Sequence, residues 1–173
     1  SACLVGSEMC IRDRSKAAAL AEAAEALGDT QVRNRGTIGG SAAHADPNAD
    51  EPVPLTAFEA TFTIVGPSGR RQVPASAFFV DMFTTALQPD EVLTEITVPS
   101  PSGVSVYTRM RHPASGFQVV SCAAVLTGSG GRCERARIAL GGITGAPLRA
   151  TSAEQALAGQ QLTPEPVSTA AHE

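Results

Sequence analysis

The sequence predicts an α+β fold, and three features of the 173-residue chain predict it. Apolar residues alternate with polar ones in two separate regions, residues 61–73 and 104–140, as they do in half-buried β-strands. The turns inside these regions are short and rich in glycine, which favours antiparallel hairpins. Helical patterns stand before and after them, at residues 15–27 and from Thr151 onward. We therefore expect antiparallel strands in both regions, with helices around them.

The composition narrows the classes of function. Hydrophobic residues make up 43% of the chain, which is enough for a core, and 17 Asp+Glu against 13 Lys+Arg give a formal charge of -4. This balance argues against nucleic-acid binding, which needs a surplus of basic residues. No apolar run approaches the roughly 20 residues that span a bilayer, and no secretion leader is visible. We therefore predict a cytoplasmic protein without a membrane span.

The cysteines show no metal-binding spacing. The four cysteines form no CxxC pair, and the three histidines are scattered along the chain. Zinc and iron–sulfur sites need clustered ligands, so we predict no metal site and free thiols, as in a reducing cytoplasm. Cys122 lies in an apolar strand and is expected in the core, whereas Cys133, beside a turn, is expected to be exposed.

Residues 1–14 do not fit the pattern of the rest. The piece EMCIRDR resembles the translation of a transposon-end adapter used in preparing sequencing libraries, and the segment has no amphipathic period. We predict that it is a sequencing artefact and that the natural N-terminus lies upstream. The alternative is a genuine N-terminal strand, CLV, followed by a basic turn.

The next part of the chain, residues 15–99, is predicted to form one domain. An Ala-rich helix over residues 15–27 opens it, and Gly28 suits the end of that helix. Residues 30–40 are polar and glycine-rich without periodicity, so we expect irregular structure there. A short helix that begins with two prolines follows and ends near Ala60. We expect Asp50 or Glu51 to cap this helix, and Pro52 and Pro54 to lie in its first turn.

Three strands and an aromatic cluster complete this domain. Residues 61–65 and 70–73 read as a hairpin, and residues 91–98 as a further strand. The stretch between them is expected to bury four large side chains: Phe78, Phe79, Met82 and Phe83.

A second domain is predicted over residues 104–173, after a Pro/Ser/Gly linker at residues 99–103. Its three strands form an antiparallel meander over residues 104–111, 118–127 and 132–140. One helix is expected to begin near Thr151, capped by Thr151 or Ser152, and another at Thr163.

The most informative stretch is QVRNRGTIGGSAAHADPNAD, residues 31–50. The Gly39–Gly40 pair permits positive φ and a close backbone approach, and consecutive N–H groups there suit a pyrophosphate. Thr37 and Ser41 offer hydroxyl donors for phosphate or ribityl oxygens, and the carboxylate of Asp50 suits a sugar hydroxyl. The alternative is a surface turn that needs two glycines. The spacing is neither GxGxxG nor GxxxxGK[ST], which excludes Rossmann and P-loop sites.

Neighbouring polar residues admit plainer interpretations. His44 either faces a bound ring or has a structural role, and we favour the structural role. Asp46 precedes a proline and is interpreted as an Asx-turn residue. Arg33 and Arg35 either contact phosphate, or brace the loop or face solvent.

Three blocks of the sequence resemble one protein family. QVRNRGTIGGSAAHADPNADEPVPL is similar to the second flavin-binding motif in the FAD subunit of molybdenum hydroxylases, the relatives of xanthine dehydrogenase and aerobic carbon monoxide dehydrogenase. ALQPDEVLTEITVP resembles the close of the same flavin domain, and GGITGAPLRAT resembles a turn of the family's C-terminal flavoprotein domain. The resemblance implies the C-terminal lobe of a PCMH/CO-dehydrogenase-flavoprotein-type FAD-binding domain, followed by a truncated C-terminal domain.

The resemblance also implies a set of FAD contacts. The loop that would lie on the dinucleotide and flavin consists of Thr37, Ile38, Gly39, Gly40 and Ser41. Asp50 matches an acidic residue that contacts FAD, and Leu93 matches an apolar contact near the flavin. The family often has a lysine after an aromatic residue such as Tyr107, and Arg109 is the nearest basic residue here. Lysine and arginine are not interchangeable, so the chain departs from the family's pattern at this position.

The implied function is electron transfer in the medium subunit of a molybdenum hydroxylase. Electrons would pass from a molybdopterin large subunit through iron–sulfur clusters on a small subunit to FAD, and then to NAD or a quinone. The flavin does the redox chemistry, so no catalytic residue is expected. The family's first flavin motif is absent, so the chain is expected to be a fragment that binds FAD weakly alone. The alternatives are a scaffold domain that has lost flavin, and a stand-alone flavin oxidoreductase.

Overall fold

The computed structural model describes residues 16–27, 30–99 and 103–173. Four helices come first in these residues: α1 (Ala18–Ala26), α2 (Thr30–Arg35), α3 (Ile38–His44) and α4 (Pro52–Ala57). A three-stranded antiparallel sheet of order β2-β1-β5 follows, built from β1 (Thr61–Gly66), β2 (Gly69–Pro74) and β5 (Val92–Thr97). Between β2 and β5 lie α5 (Ala75–Phe78) and a small hairpin of β3 (Phe79–Asp81) and β4 (Thr84–Thr85). The predicted hairpin and third strand are therefore confirmed.

The second half of the chain forms the predicted meander with one addition. Its antiparallel sheet has the order β6-β7-β8-β9. The strands are β6 (Gly103–Arg111), β7 (Gln118–Ser129), β8 (Arg132–Gly141) and the two-residue β9 (Leu148–Arg149). The helices α6 (Thr151–Leu157) and α7 (Pro164–Ala170) follow it, as predicted. The residue before α6, Ala150, takes the N-cap position, and neither Thr151 nor Ser152 does.

One core joins the two halves because the long sheet packs its inner face against the first half. Tyr107, Ala123 and Ala139 project from that face into the cluster that holds Phe58 and Phe62. Aromatic contacts order this core, since the Phe62 and Phe78 rings stack at 3.9 Å between centroids. The other face of the long sheet forms a smaller cluster with α6 and α7.

Helix α1 lies along β6, the edge strand of the long sheet, and polar groups join the two. The N–H of Ala19 donates to Ser105 Oγ at 3.1 Å, and the N–H of Tyr107 donates to Glu22 Oε2 at 2.6 Å. Arg109 donates to the carbonyl of Ala26 at the helix end. The edge strand is therefore covered by a helix, whose Glu22 satisfies the backbone N–H of Tyr107 that an open edge would expose.

The prediction of irregular structure at residues 30–40 is wrong, because α2 and α3 occupy most of it. Gly39 and Gly40 lie inside α3, so this pair does not use the positive φ that glycine permits; the positive-φ glycines of the described chain lie elsewhere. Glycine is a poor helix former, and a side-chain cap from Thr37 supports this short helix. The proline-initiated helix is confirmed over Pro52–Ala57. Glu51, one of the two expected caps, takes the N-cap position, but its side chain makes no capping hydrogen bond.

Burial differs from expectation at four large or sulfur-bearing side chains. Cys122, expected in the core, is only half-buried. Phe78 and Phe79 are buried as predicted, whereas Met82 and Phe83 are more than half exposed, because they lie at the tip of the β3–β4 hairpin. Cys133 is 1% exposed rather than open to solvent, since the small cluster beneath α6 and α7 encloses it.

Some predictions lie outside the described residues. They concern residues 1–14, the helix end at Gly28 and most of the linker at residues 99–103. The division into domains stays a prediction. Among the described residues, no helix is long and apolar enough to cross a membrane.

Candidate cofactor site

Thr37 organises the start of α3. Its backbone is extended, and its Oγ1 accepts the N–H of Gly40 at 3.0 Å. Its carbonyl accepts the N–H of Ser41 at 2.9 Å, which begins the helical ladder. In the part of the chain that the structure describes, nothing accepts the hydroxyl proton of Thr37. Thr37 is therefore both a helix cap and a hydrogen-bond donor available to a ligand.

The two glycines of α3 have different surroundings. A Cβ built on Gly39 would have no atom within 4 Å, whereas one on Gly40 would lie 3.0 Å from Thr37 Oγ1. The backbone at Gly39 thus faces open space, and a ligand can come as close as main-chain atoms allow. Gly40 instead leaves room for the capping hydroxyl.

Ser41 is bound to a residue that the sequence analysis did not assign to the site. Its Oγ donates to Glu51 Oε2 at 2.8 Å, and Glu51 is buried. Burial raises the pKa of Glu51, more than the hydrogen bond from Ser41 lowers it. Because a hydroxyl has one proton, Ser41 can accept a hydrogen bond from a ligand but not donate one while this contact holds. This differs from the donor role that the sequence suggested.

Asp50 and Arg109 meet in the interior, next to Tyr107. Arg109 Nη1 lies 2.8 Å from Asp50 Oδ2 and 3.0 Å from Oδ1, and the hydroxyl of Tyr107 donates to Oδ1 at 2.5 Å. Asp50 is 3% exposed. Burial raises the pKa of Asp50, and the hydrogen bond from Tyr107 and the charge of Arg109 offset only part of that rise. The polar atoms of Asp50 are thus engaged within the protein.

A cleft of about 390 Å³ lies where the loop after α3 meets the long sheet. Asp46 and Asn48 line it from one side, and Phe117 and Gln118 from the other, together with His112, Ser115 and Val119. Asp46 Oδ1 accepts the N–H of Asn48 at 2.9 Å, which confirms the predicted Asx turn. Phe117 is 55% exposed, so the cleft offers an aromatic surface between polar side chains.

Gln118 fixes the shape of this cleft, although the sequence analysis did not identify it. Its Nε2 donates to the carbonyls of Pro47 at 3.1 Å and Ala49 at 3.0 Å. Gln118 and Pro47 are 71 positions apart, and no local pattern in the sequence signals the contact. The long sheet thus holds the loop that follows α3.

Two family models match the chain, one for each half. Residues 2–101 match the FAD binding domain in molybdopterin dehydrogenase, and residues 105–173 match the CO dehydrogenase flavoprotein C-terminal domain. The chain belongs to the FAD-binding family of the molybdopterin dehydrogenases.

Known members of this family resemble the chain in sequence and structure. The carbon monoxide dehydrogenase medium chain of Hydrogenophaga pseudoflava is 41% identical over 88% of this chain and 54% of its own length. The glyceraldehyde dehydrogenase medium chain of Sulfolobus acidocaldarius is 38% identical over 86% of this chain and 53% of its own. A solved carbon monoxide dehydrogenase from Hydrogenophaga pseudoflava, which lacks the Mo-pyranopterin moiety of the molybdenum cofactor, has a TM-score of 0.90 and 40% identity over 98% of this chain and 60% of that one. The chain spans about half the length of these curated relatives.

FAD is the cofactor of this family, and the surface around α3 suits it. The open backbone at Gly39 and the donor hydroxyl of Thr37 match a phosphate-bearing ligand. Ile38 and Leu93 pack against the same core, on elements that lie side by side, α3 and β5. The structure therefore brings together the loop and the apolar contact that the sequence assigned to the flavin.

Two other residues were assigned to the cofactor, Asp50 and Arg109, and His44 was expected to have a structural role. Asp50 and Arg109 pair with each other in the interior, so their cofactor contacts stay a prediction. His44 is exposed, with its ring 5.0 Å from that of Phe83.

Proposed function

We propose that the chain forms part of the FAD-binding medium subunit of a molybdenum hydroxylase. The observation that carries the proposal is the capped helix α3, whose backbone is open at Gly39, within a chain that matches the FAD-binding family. When bound, FAD would supply the redox chemistry by which electrons pass from iron–sulfur clusters to NAD or a quinone. The proposed partners are an iron–sulfur small subunit and a molybdopterin large subunit.

The residues of the chain would bind and orient the cofactor rather than react. Thr37 would donate its hydroxyl proton to a phosphate oxygen, and Gly39 would allow the dinucleotide to lie against the backbone. Ser41 would accept from a sugar or ribityl hydroxyl, since its own proton goes to Glu51. The half-buried side chains of Ile38 and Leu93 would shield one edge of the ring system from water.

We retain Asp50 and Arg109 as residues of this site, and we infer that they hold its structure in place rather than contact FAD. Their ion pair fixes the end of the loop that lines the cleft, and Arg109 also binds the end of α1. Direct contact with FAD would require one of them to leave its partner, which costs free energy because both are largely buried.

Titration with FAD tests the proposal. The chain joined to the upstream lobe that the resemblance predicts should bind one FAD, and it should co-purify with iron–sulfur and molybdopterin subunits when these are expressed together. The scaffold alternative predicts the same assembly without flavin absorbance. Absence of FAD binding in the longer chain would therefore reject the proposed function.

A further inference from the structure

Tyr107 contacts both walls of the cleft, although its own side chain does not line it. Its hydroxyl donates to Asp50 Oδ1 at 2.5 Å and lies 3.0 Å from Gln118 Oε1. Asp50 ends the loop that forms one wall, and Gln118 belongs to β7, which forms the other. One hydroxyl group thus joins the two elements between which the cleft lies.

The other hydrogen bonds of the Gln118 amide determine which of its atoms faces Tyr107. Its Nε2 is committed to the carbonyls of Pro47 and Ala49, so its Oε1 must face Tyr107. Asn48, which lines the cleft, lies between those two carbonyls in the chain. Removing the Tyr107 hydroxyl would therefore free the Gln118 amide to move, and this would weaken its hydrogen bonds to the cleft wall.

The burial of this cluster makes the hydroxyl hard to replace. Tyr107 is 7% exposed, Asp50 3% and Gln118 2%. The hydroxyl has one proton, which lies between Asp50 Oδ1 and the more distant Gln118 Oε1. Without the hydroxyl, Asp50 keeps its ion pair with Arg109, but the polar contact that links Asp50 to Gln118 is lost in a place that water does not reach easily. Burial, together with the adjacent Asp50 carboxylate, raises the pKa of Tyr107, so the hydroxyl remains protonated and able to donate.

We propose that Tyr107 is a positioning residue for the cofactor cleft. It shapes the cleft by holding Gln118 and the loop of residues 46–50 in fixed positions relative to each other. The proposal rests on the proposed function, because it takes the cleft as part of the FAD site. It separates Tyr107 from the residues that would touch the cofactor, since Tyr107 acts through Asp50 and Gln118.

The test compares Tyr107→Phe, which removes only the hydroxyl, with Glu59→Gln. Glu59 pairs with arginines of the long sheet and so also joins the two halves, but it does not line the cleft. We would measure the dissociation constant for FAD in the chain joined to its upstream lobe, the thermal midpoint, and amide exchange at Asn48 and Ala49. Tyr107→Phe should weaken FAD binding by about 10-fold and accelerate exchange at both amides. Glu59→Gln should lower the midpoint without either effect.

Two outcomes would overturn the proposal. One is an equal loss of FAD affinity in both variants, which would show that any weakening of the contact between the halves has the same effect. The other is unchanged amide exchange in Tyr107→Phe. If the parent protein binds no FAD, the proposed function fails, but amide exchange still decides whether Tyr107 positions the loop. If Tyr107→Phe does not fold, Gln118→Met, which cuts the bonds to Pro47 and Ala49, should give the same loss of affinity and faster exchange.

Discussion

At the scale of single residues, a substitution at Gly39 should change the stability of the protein and its affinity for FAD in opposite directions. Its Cβ position is empty, so Gly39→Ala should stabilise α3 by about 0.5–1 kcal/mol through helix propensity. The same methyl group would fill the space in which the dinucleotide is proposed to lie. We expect FAD affinity to fall by roughly 10-fold or more, measured by flavin fluorescence, while the thermal midpoint rises.

Gly40 provides the comparison for this experiment. A Cβ there lies 3.0 Å from Thr37 Oγ1, so Gly40→Ala should disturb the cap and lower both the midpoint and FAD affinity. Opposite changes in stability and affinity are expected only at Gly39. Unaltered FAD affinity in Gly39→Ala would place the dinucleotide away from α3.

Tyr107 can be followed by absorbance because the chain has one tyrosine and no tryptophan. Burial and the Asp50 contact hold the pKa of Tyr107 above its ordinary value of 10.0. A pKa raised on folding stabilises the protein below the unfolded value and loses that contribution as pH rises towards the folded value. Ionisation at 295 nm should therefore coincide with alkaline unfolding seen by circular dichroism. Ionisation of the tyrosine near pH 10 in a protein that stays folded would contradict the buried contact.

At the scale of elements, Glu59 joins the turn before β1 to the long sheet. Its carboxylate lies 2.9 Å from Arg135 and Arg137 and 3.2 Å from Arg149, with Arg137 almost wholly buried. Glu59 has a φ of 56°, a left-handed conformation that these contacts hold in place. Arg149 also binds Glu154 of α6, so one cluster connects four elements.

Glu59→Gln should lower the free energy of unfolding of the protein, and should make that free energy depend less on pH. Burial would raise the pKa of Glu59, but hydrogen bonds from Arg137 and Arg149 and the charge of Arg135 outweigh it, so the pKa is lowered from 4.5. A lowered pKa contributes stability above the unfolded value and loses it as pH falls. The loss at neutral pH should be on the order of 1 kcal/mol, a modest figure because the Glu59 side chain is 39% exposed.

Urea unfolding at several pH values provides the measurement. The difference between parent and variant should be largest above about pH 4.5 and shrink below it, since protonated Glu59 no longer pairs with the arginines. A difference that stays constant down to pH 3 would show that the ion pairs contribute nothing to stability.

The elements that the sequence predicted well are those with a local cause. Alternation and short turns defined the strands, and the prolines of α4 and α7 marked helix starts. Helix α3 was not predicted because glycine is a poor helix former, and because its cap is a hydrogen bond from the N–H of Gly40 to Thr37 Oγ1 that the pattern does not show. The pairing of Asp50 with Tyr107 joins residues 57 positions apart, and the Gln118 contacts are longer still. Such contacts follow from how sheets and helices pack, so a pattern along the chain does not reveal them.

At the scale of the whole molecule, the described part of the chain has large apolar side chains on its surface. Val92 on β5 is 63% exposed, and Met82 and Phe83 at the hairpin tip are 54% and 55% exposed. Val104 and Val106 on β6 are also more than half exposed, on the face opposite Tyr107. Exposed apolar side chains of this kind mark contacts with other protein or a tendency to associate. The curated relatives are almost twice as long as the region of them that matches this chain, so they have additional residues for such contacts.

We therefore expect the 173-residue chain to bind FAD weakly and to self-associate. The resemblance implies that a second glycine-rich loop, on an upstream lobe, also binds the dinucleotide, whereas the 173-residue chain supplies the loop at residues 37–41. A ligand loses the same translational and rotational freedom whether it makes all of its contacts or half of them, so affinity falls steeply when one lobe is lacking. Flavin fluorescence titration should show no saturation at micromolar FAD, and sedimentation should show concentration-dependent association.

Adding the upstream lobe should restore tight binding and reduce association together. The double substitution Val104→Thr and Val106→Thr separates the two effects, because it removes apolar surface on β6 without touching α3. It should lower self-association and leave FAD affinity unchanged. Stoichiometric binding of FAD by the 173-residue chain at submicromolar concentration would show instead that the surface around Gly39 and the cleft beside Gln118 suffice to hold the cofactor.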